Sequence, residues 1–182
     1  FVSAGSTGAL VMGATFIVKR IKGVKRPAIG SVLPSNDKPF LLLDCGANAD
    51  CTAEHLKQFA QMGAIYSAKF VKVQSPRVAL ANIGTEDSKG GELQKQSYAI
   101  LKKAGDEGRI NFIGNVEGSS ALSGEVDVIV TDGFTGNILL KGCEGMIKFL
   151  MGQLKGVFLS STKNKLAALM LKSDFAKLKD MM

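Results

Sequence analysis

A chain of 182 residues is long enough for one domain burying roughly 70% of its unfolded surface, and 46% apolar with 21% charged residues is ordinary globular usage. Three cysteines without metal-ligand spacing and a single histidine argue against a zinc centre and for a reduced, cytosolic setting. The net charge is +7, yet no apolar run is long enough to span a bilayer and no signal peptide is visible.

The chain opens on Phe1-Val2-Ser3-Ala4, read as the end of a strand, so it is taken as a fragment whose first strands are missing. The turn Gly5-Ser6-Thr7-Gly8 then leads into a helix over Gly8–Ile21. Pro27–Leu33 and Phe40–Leu43 read as strands around the turn Pro34-Ser35-Asn36-Asp37. A helix over Ala53–Tyr66 starts at the cap Thr52 and shows Leu56, Phe59, Ala60 and Gly63 at helical spacing. Strands are expected at Arg77–Ala81, Ile110–Ile113 and Val126–Val130, and a helix at Gly91–Lys103. A long helix runs from Asn137 to about Leu154, with helical pieces near Lys165–Lys172 and Asp174–Lys179. Alternating strands and helices predict an α/β protein, a largely parallel sheet with helices on both faces. The expected division is an α/β core over 1–154 and a helical hairpin over 155–182.

The glycines, twenty-one in all, concentrate just after the apolar runs. Five strand ends share glycine with asparagine or threonine: Ser6-Thr7-Gly8, the loop holding Asn48, the loop from Asn82 and Gly84 to Lys89, the loop holding Asn115, and Asp132-Gly133-Phe134-Thr135-Gly136-Asn137. None offers a Ser/His/Asp or Cys/His set, and no His, Cys, Asp or Glu cluster has metal-ligand spacing. One such turn is ordinary, because Gly and Asn populate left-handed positions by default. Five at one sheet edge gather backbone amides, side-chain amides and hydroxyls around a crevice, which suits a phosphate or a developing oxyanion. Asn137 stands either as the cap of the long helix or as a donor to such a ligand, and Asp132 either bonds its own turn or faces the crevice.

Residues 141–182 hold eight lysines against Glu144, Asp174 and Asp180, leaving five of the seven net positive charges there. The aromatics that interleave on nucleic-acid surfaces are missing, so nucleic acid is not an expected partner. Apolar Phe158, Leu159, Leu166 and Leu169 flank a turn carrying Lys163 and Lys165. The pattern fits a helical hairpin in a dimer interface, or a hairpin tip dipping into an anionic membrane surface.

The phrases SAGSTGAL, LLLDCGANADC, QFAQMGAIYS, PRVALANIGTEDSKG, NFIGNVEG and DVIVTDGFTGNILLK, in this order, resemble the PlsX family of bacterial acyl-acyl carrier protein:phosphate acyltransferases. The resemblance implies a three-layer α/β/α fold like the isocitrate and isopropylmalate dehydrogenases, shared with phosphotransacetylases. It implies reversible transfer of a fatty acyl group from acyl carrier protein to inorganic phosphate, without metal or cofactor. The acyl phosphate then feeds a glycerol-3-phosphate acyltransferase in phospholipid synthesis. It also implies a cytoplasmic homodimer, peripherally associated with the inner face of the membrane, and Lys89 and Asn137 as the catalytic pair. The remaining strand-end residues, Ser6, Thr7, Gly8, Asn48, Asn82, Gly84, Asn115, Asp132, Gly133, Thr135 and Gly136, are expected to bind substrate. The family usually has asparagine where Ser6 stands, and its N-terminal Asp/Gly-rich strand-loop and C-terminal Gly-rich strands are absent from this sequence. The competing readings are a short-chain phosphate acetyl- or butyryltransferase using acyl-CoA, and a non-catalytic nucleotide-binding module. The latter lacks a G-x-G-x-x-G or a P-loop.

Overall fold

The computed structural model describes residues 4–175. Of the strand end expected at Phe1–Ala4 only Ala4 is described, and of the helical piece expected at Asp174–Lys179 only Asp174 and Phe175; the rest lie outside the described residues. Five strands form one sheet: β1 (Gly30–Leu33), β2 (Phe40–Leu43), β3 (Arg77–Asn82), β4 (Asn111–Glu117) and β5 (Val128–Val130), in the order β1-β2-β5-β3-β4. β1 and β2 make the expected hairpin, with Gly30 opposite Leu43 and Leu33 opposite Phe40. The other neighbours are parallel, so β2, β5, β3 and β4 deliver their carboxyl ends to one edge.

Alternation along the strands sorts their side chains. Leu41, Leu43, Val78, Leu80, Val128 and Val130 face α2 (Ala53–Tyr66) and α3 (Glu92–Asp106), whose Leu56, Phe59 and Leu101 complete the core. Phe40, Leu42, Ala79 and Ile129 point the other way and are equally buried. At the amino edge, Arg77 donates from its backbone N–H, Nε and Nη2 to the Asp127 carboxylate at 2.7 to 3.0 Å, tying the starts of β3 and β5. Burial pushes the Asp127 carboxyl up, but those hydrogen bonds and the guanidinium charge outweigh it and hold it below its ordinary value.

Several boundaries depart from expectation, each for a local reason. β4 continues through Gly114 to Glu117 instead of ending at Ile113, because Ile113 bulges out and Gly114 takes a φ of 105° that the bulge requires. β1 begins at Gly30, not Pro27, and the first helix, α1 (Thr7–Gly13), continues as a π turn that ends at Val18 rather than Ile21. α4 runs without a break over Gly133–Leu159, starting four residues before Asn137 and passing the expected end at Leu154. α5 covers Thr162–Met170. The chain divides into two compact units, Phe1–Asn137 and Ile138–Met182.

Candidate functional site at the carboxyl edge of the sheet

The ends of β2 and β5 are built around a buried carboxylate. Asp44, at the end of β2, is fully buried and accepts five N–H groups. Its Oδ1 accepts from Ile29, Gly46 and Ala47 at 3.0 to 3.1 Å. Its Oδ2 accepts from the Asn48 backbone at 2.8 Å and the Asn48 side-chain amide at 2.7 Å. Asn48 Nδ2 also donates to the Pro27 carbonyl at 2.7 Å, so both side-chain donors of this expected substrate ligand are spent on the scaffold. Asp44 was not singled out from sequence; a strand-end aspartate followed by Cys-Gly-Ala-Asn is the signal that could have found it.

The start of α4 packs directly on that loop. The Gly133 N–H donates to the Asn48 carbonyl at 2.8 Å, and a Cβ at Gly133 would stand 2.8 Å from the same oxygen. A Cβ at Gly136 would run into the Asp44 carbonyl oxygen. The two glycines are thus required for close approach of backbone to backbone. Asp132 caps the helix, its Oδ1 accepting from the Thr135 N–H and its Oδ2 from the Thr135 hydroxyl, both at 2.8 Å. The cap is therefore Asp132, not Asn137. Asn137 lies one turn further on, exposed, with its amide unbonded among the described residues and its Cβ and Oδ1 3.6 Å from where a Gly46 Cβ would be.

The ends of β3 and β4 treat their loop differently. Asn82 Nδ2 donates to the Lys89 carbonyl at 3.1 Å, and its Oδ1 accepts from Ile83 N–H at 2.8 Å. Asn115, carried on β4 and not on a loop, donates from Nδ2 to the Glu86 carbonyl at 2.7 Å, and its Oδ1 is buried without a partner. Together the two amides brace the 82–90 loop at Glu86 and Lys89. Gly84 leaves room for the Lys89 stem, since a Cβ there would stand 2.8 Å from Lys89 Cγ. The Lys89 side chain is 49% exposed, and its Nζ is 4.0 Å from Glu86 Oε1, a pair too solvated to neutralise it.

Lys89 and Asn137 thus leave adjacent strands of one sheet at the same edge, β3 and β5 being paired at Leu80 and Val130. Ser6, Thr7 and Gly8 are exposed at the start of α1, where Ser6 Oγ accepts from Ala9 N–H at 3.3 Å as its cap; no described bond joins them to the other loops. Burial, before the nearby Asp44 charge, pushes the Cys51 thiol up to about 11, so it is a poor nucleophile at neutral pH. Among the described residues no three His, Cys, Asp or Glu side chains converge as metal ligands.

In the unit after Asn137, Leu159, Leu166 and Leu169 are exposed. Phe158 is not: it is half-buried against the Phe175 ring, with centroids 5.5 Å apart. No helix among the described residues is long and apolar enough to cross a membrane.

Comparison with known families decides the kinship. The profile described as "Fatty acid synthesis protein" matches residues 1–182. The chain belongs to this family. It is 51% identical over 180 residues to the phosphate acyltransferase of Oceanobacillus iheyensis, covering 98% of this chain and 53% of that protein. With the phosphate acyltransferase of Staphylococcus haemolyticus it shares 54% over 174 residues, 95% of this chain and 52% of the relative. This member of the fatty acid synthesis protein family therefore spans about half the length of the curated relatives it matches. Among solved structures, the EutD phosphotransacetylase from Staphylococcus aureus superposes with a TM-score of 0.61 at 21% identity, over 79% of this chain and 49% of that one. A phosphotransacetylase from Streptococcus pyogenes gives 0.63 at 21% identity, over 79% and 48%. These two likenesses establish the α/β fold of the phosphotransacetylases for this family member.

Proposed function

We propose that the chain carries the reaction edge of a phosphate acyltransferase that moves a long-chain fatty acyl group, reversibly, from acyl carrier protein to inorganic phosphate. The observation that carries this reading is the unspent Asn137 amide and the half-exposed Lys89 at the ends of paired strands, in a family whose relatives are named phosphate acyltransferases. A phosphate oxygen attacks the thioester carbon; the C–O bond forms, the C–S bond breaks, and the carrier leaves as thiolate. Phosphate is already a good nucleophile at neutral pH, so what the protein supplies is position and charge. Lys89 pairs with the phosphate, and Asn137 Nδ2 donates to the oxyanion of the tetrahedral intermediate. Asn82, Gly84 and Asn115 set the Lys89 loop, while Asn48, Asp132, Gly133, Thr135 and Gly136 shape the floor under Asn137. Ser6, Thr7 and Gly8 remain proposed substrate contacts. The chemistry calls for no metal or cofactor.

In this reading the acyl phosphate passes to an acyl-phosphate-using glycerol-3-phosphate acyltransferase, and the protein is a cytoplasmic homodimer that touches the inner membrane face. Support for the last two points comes from the apolar side chains left exposed along α4 and α5, among them Phe149, Leu150, Leu154, Leu166 and Leu169. The protein at the full length of its relatives, given long-chain acyl carrier protein and phosphate, should yield acyl hydroxamate on trapping with hydroxylamine. No hydroxamate from either carrier-protein or CoA donors contradicts the reading. Leu166→Glu with Leu169→Glu should abolish flotation with anionic liposomes; unchanged flotation would remove the membrane contact.

A further inference from the structure

An apolar groove of about 400 Å³ opens on the helix-covered side of the sheet, beside the β1–β2 hairpin. Its floor is Leu41 and Leu43, one wall is Ala14 and Val18 of the π turn, and the other is Met62 and Tyr66 of α2. Gly30 and Gly63 keep the floor bare: a Cβ on Gly30 would stand 3.0 Å from Leu41 Cδ1, and one on Gly63 2.7 Å from Val128 Cγ1. The volume lies within the ordinary range of small-molecule sites, roughly 300–1,000 Å³.

The rim is strongly basic. Lys19, Arg20, Lys22, Lys25 and Arg26 fall within eight residues, and no acidic residue precedes Asp37 in the sequence. Lys19 and Arg20 line the groove itself, and none of the five makes an ion pair among those found in the described residues. The basic turn is held in place, not loose. Gln58 accepts from Lys25 N–H at 2.8 Å and donates to the Gly23 carbonyl at 3.0 Å. The Arg20 Nη1 donates to the Lys25 carbonyl, which fixes that guanidinium at the rim without neutralising its charge. Two cations without an ion pair, beside apolar lining, match a ligand with one long hydrocarbon chain and one anionic head.

The groove also shares a wall with the reaction edge. Pro27 and Ala28 line it, while the Pro27 carbonyl accepts from Asn48 Nδ2 and the Ile29 N–H donates to Asp44 Oδ1. A molecule released at the strand ends therefore meets the groove across a single stretch of backbone.

We propose that this groove binds a long-chain acyl anion, its chain lying on Leu41 and Leu43 and its head meeting Lys19 and Arg20. The assignment rests on the phosphate acyltransferase reading, because acyl phosphate, the product of that reaction, has this chemistry. Free fatty acid has it too, so both are probes.

The test is displacement of a fluorescent fatty acid from the protein at the full length of its relatives by palmitoyl phosphate, palmitate and laurate. Palmitate should bind tighter than laurate by about fourfold per methylene, the gain expected from removing each from water. Ala14→Trp, which fills the groove, and Lys19→Glu, which reverses its charge, should each weaken both palmitoyl ligands at least tenfold. Val18→Trp, at a position 79% exposed, repeats the first with little risk to folding, checked by circular dichroism. Equal displacement by palmitoyl phosphate and palmitate names the acyl anion in general, and preference for the former names the product. Absence of saturable binding, indifference to chain length, or affinities unchanged in all three variants would overturn the proposal. So would anionic phospholipid vesicles binding through these residues while monomeric palmitate does not. Groove-dependent palmitate binding by a protein that forms no acyl phosphate would keep the groove and reject the enzymatic reading.

Discussion

At the ends of β2 and β5 the polar groups are spent on one another, whereas at the ends of β3 and β4 they hold up a loop that keeps a charge outside. The Asp44 carboxylate saturates itself with five N–H groups, Asp132 closes the first turn of α4, and two glycines let backbone press on backbone. Asn137 stands clear of that network among the described residues. Across the β5–β3 pair, Asn82 and Asn115 fix the carbonyls of Lys89 and Glu86, and the lysine head stays half in water. The difference teaches that a fixed floor and a braced but reachable cation are separate jobs. In this account the first positions an amide and the second supplies charge.

The floor should fail catastrophically when its acceptor goes. Asp44→Ala strands five donors in a buried site and is expected to cost about 4 kcal/mol or more, read as loss of cooperative unfolding or a collapse in denaturation midpoint. An unchanged midpoint would mean the carboxylate organises nothing. Gly136→Ala comes next, at about 2–3 kcal/mol, because the helix start must lift off the Asp44 carbonyl. The braced loop should break more gently: Asn115→Ala loses one hydrogen bond and about 1 kcal/mol of stability. Its larger signature is kinetic, a fall in turnover without a matching fall in the midpoint. Were both to drop together, the two halves of the edge would not be separable.

The smallest effect lies away from the edge. His55 accepts from the Thr52 N–H at 3.2 Å in the cap of α2, and burial, then Arg26 and Lys25, lower its pKa below 6.5. A lowered value means the unfolded chain binds the proton more readily than the folded one. Stability should therefore decline modestly as pH falls through about 6.5 and level off below the folded pKa. His55→Gln should flatten that slope in melting temperature against pH, and an identical slope would place the titration elsewhere.

How much of this could be read from the sequence follows from where the physics is local. Thr52, Leu56, Phe59 and Gly63 declare α2 through a cap and a helical period, and α2 appears at Ala53–Tyr66 as expected. The β1–β2 hairpin was equally legible from its turn residues. Gly114-Asn115 misled because glycine and asparagine serve a bulge within a strand as readily as a turn after one. The sequence points to a helix start at Asn137 because that side chain can cap. Asp132 wins, since the glycines after it are packed on the Asp44–Asn48 loop, a contact between segments nearly ninety residues apart that periodicity cannot register. For the same reason the Gly- and Asn-rich loops after the strands can be listed from the sequence, while the saturation of Asp44 and the freedom of Asn137 cannot.

The most direct measurement of the central claim is acyl phosphate formation by Lys89→Ala and Asn137→Ala in the protein at the full length of its relatives, trapped with hydroxylamine. Each should lower turnover by about 10²–10³, the usual effect of removing one preorganised donor, with the unfolding midpoint unmoved. Near-normal turnover in either variant would contradict the account of the site.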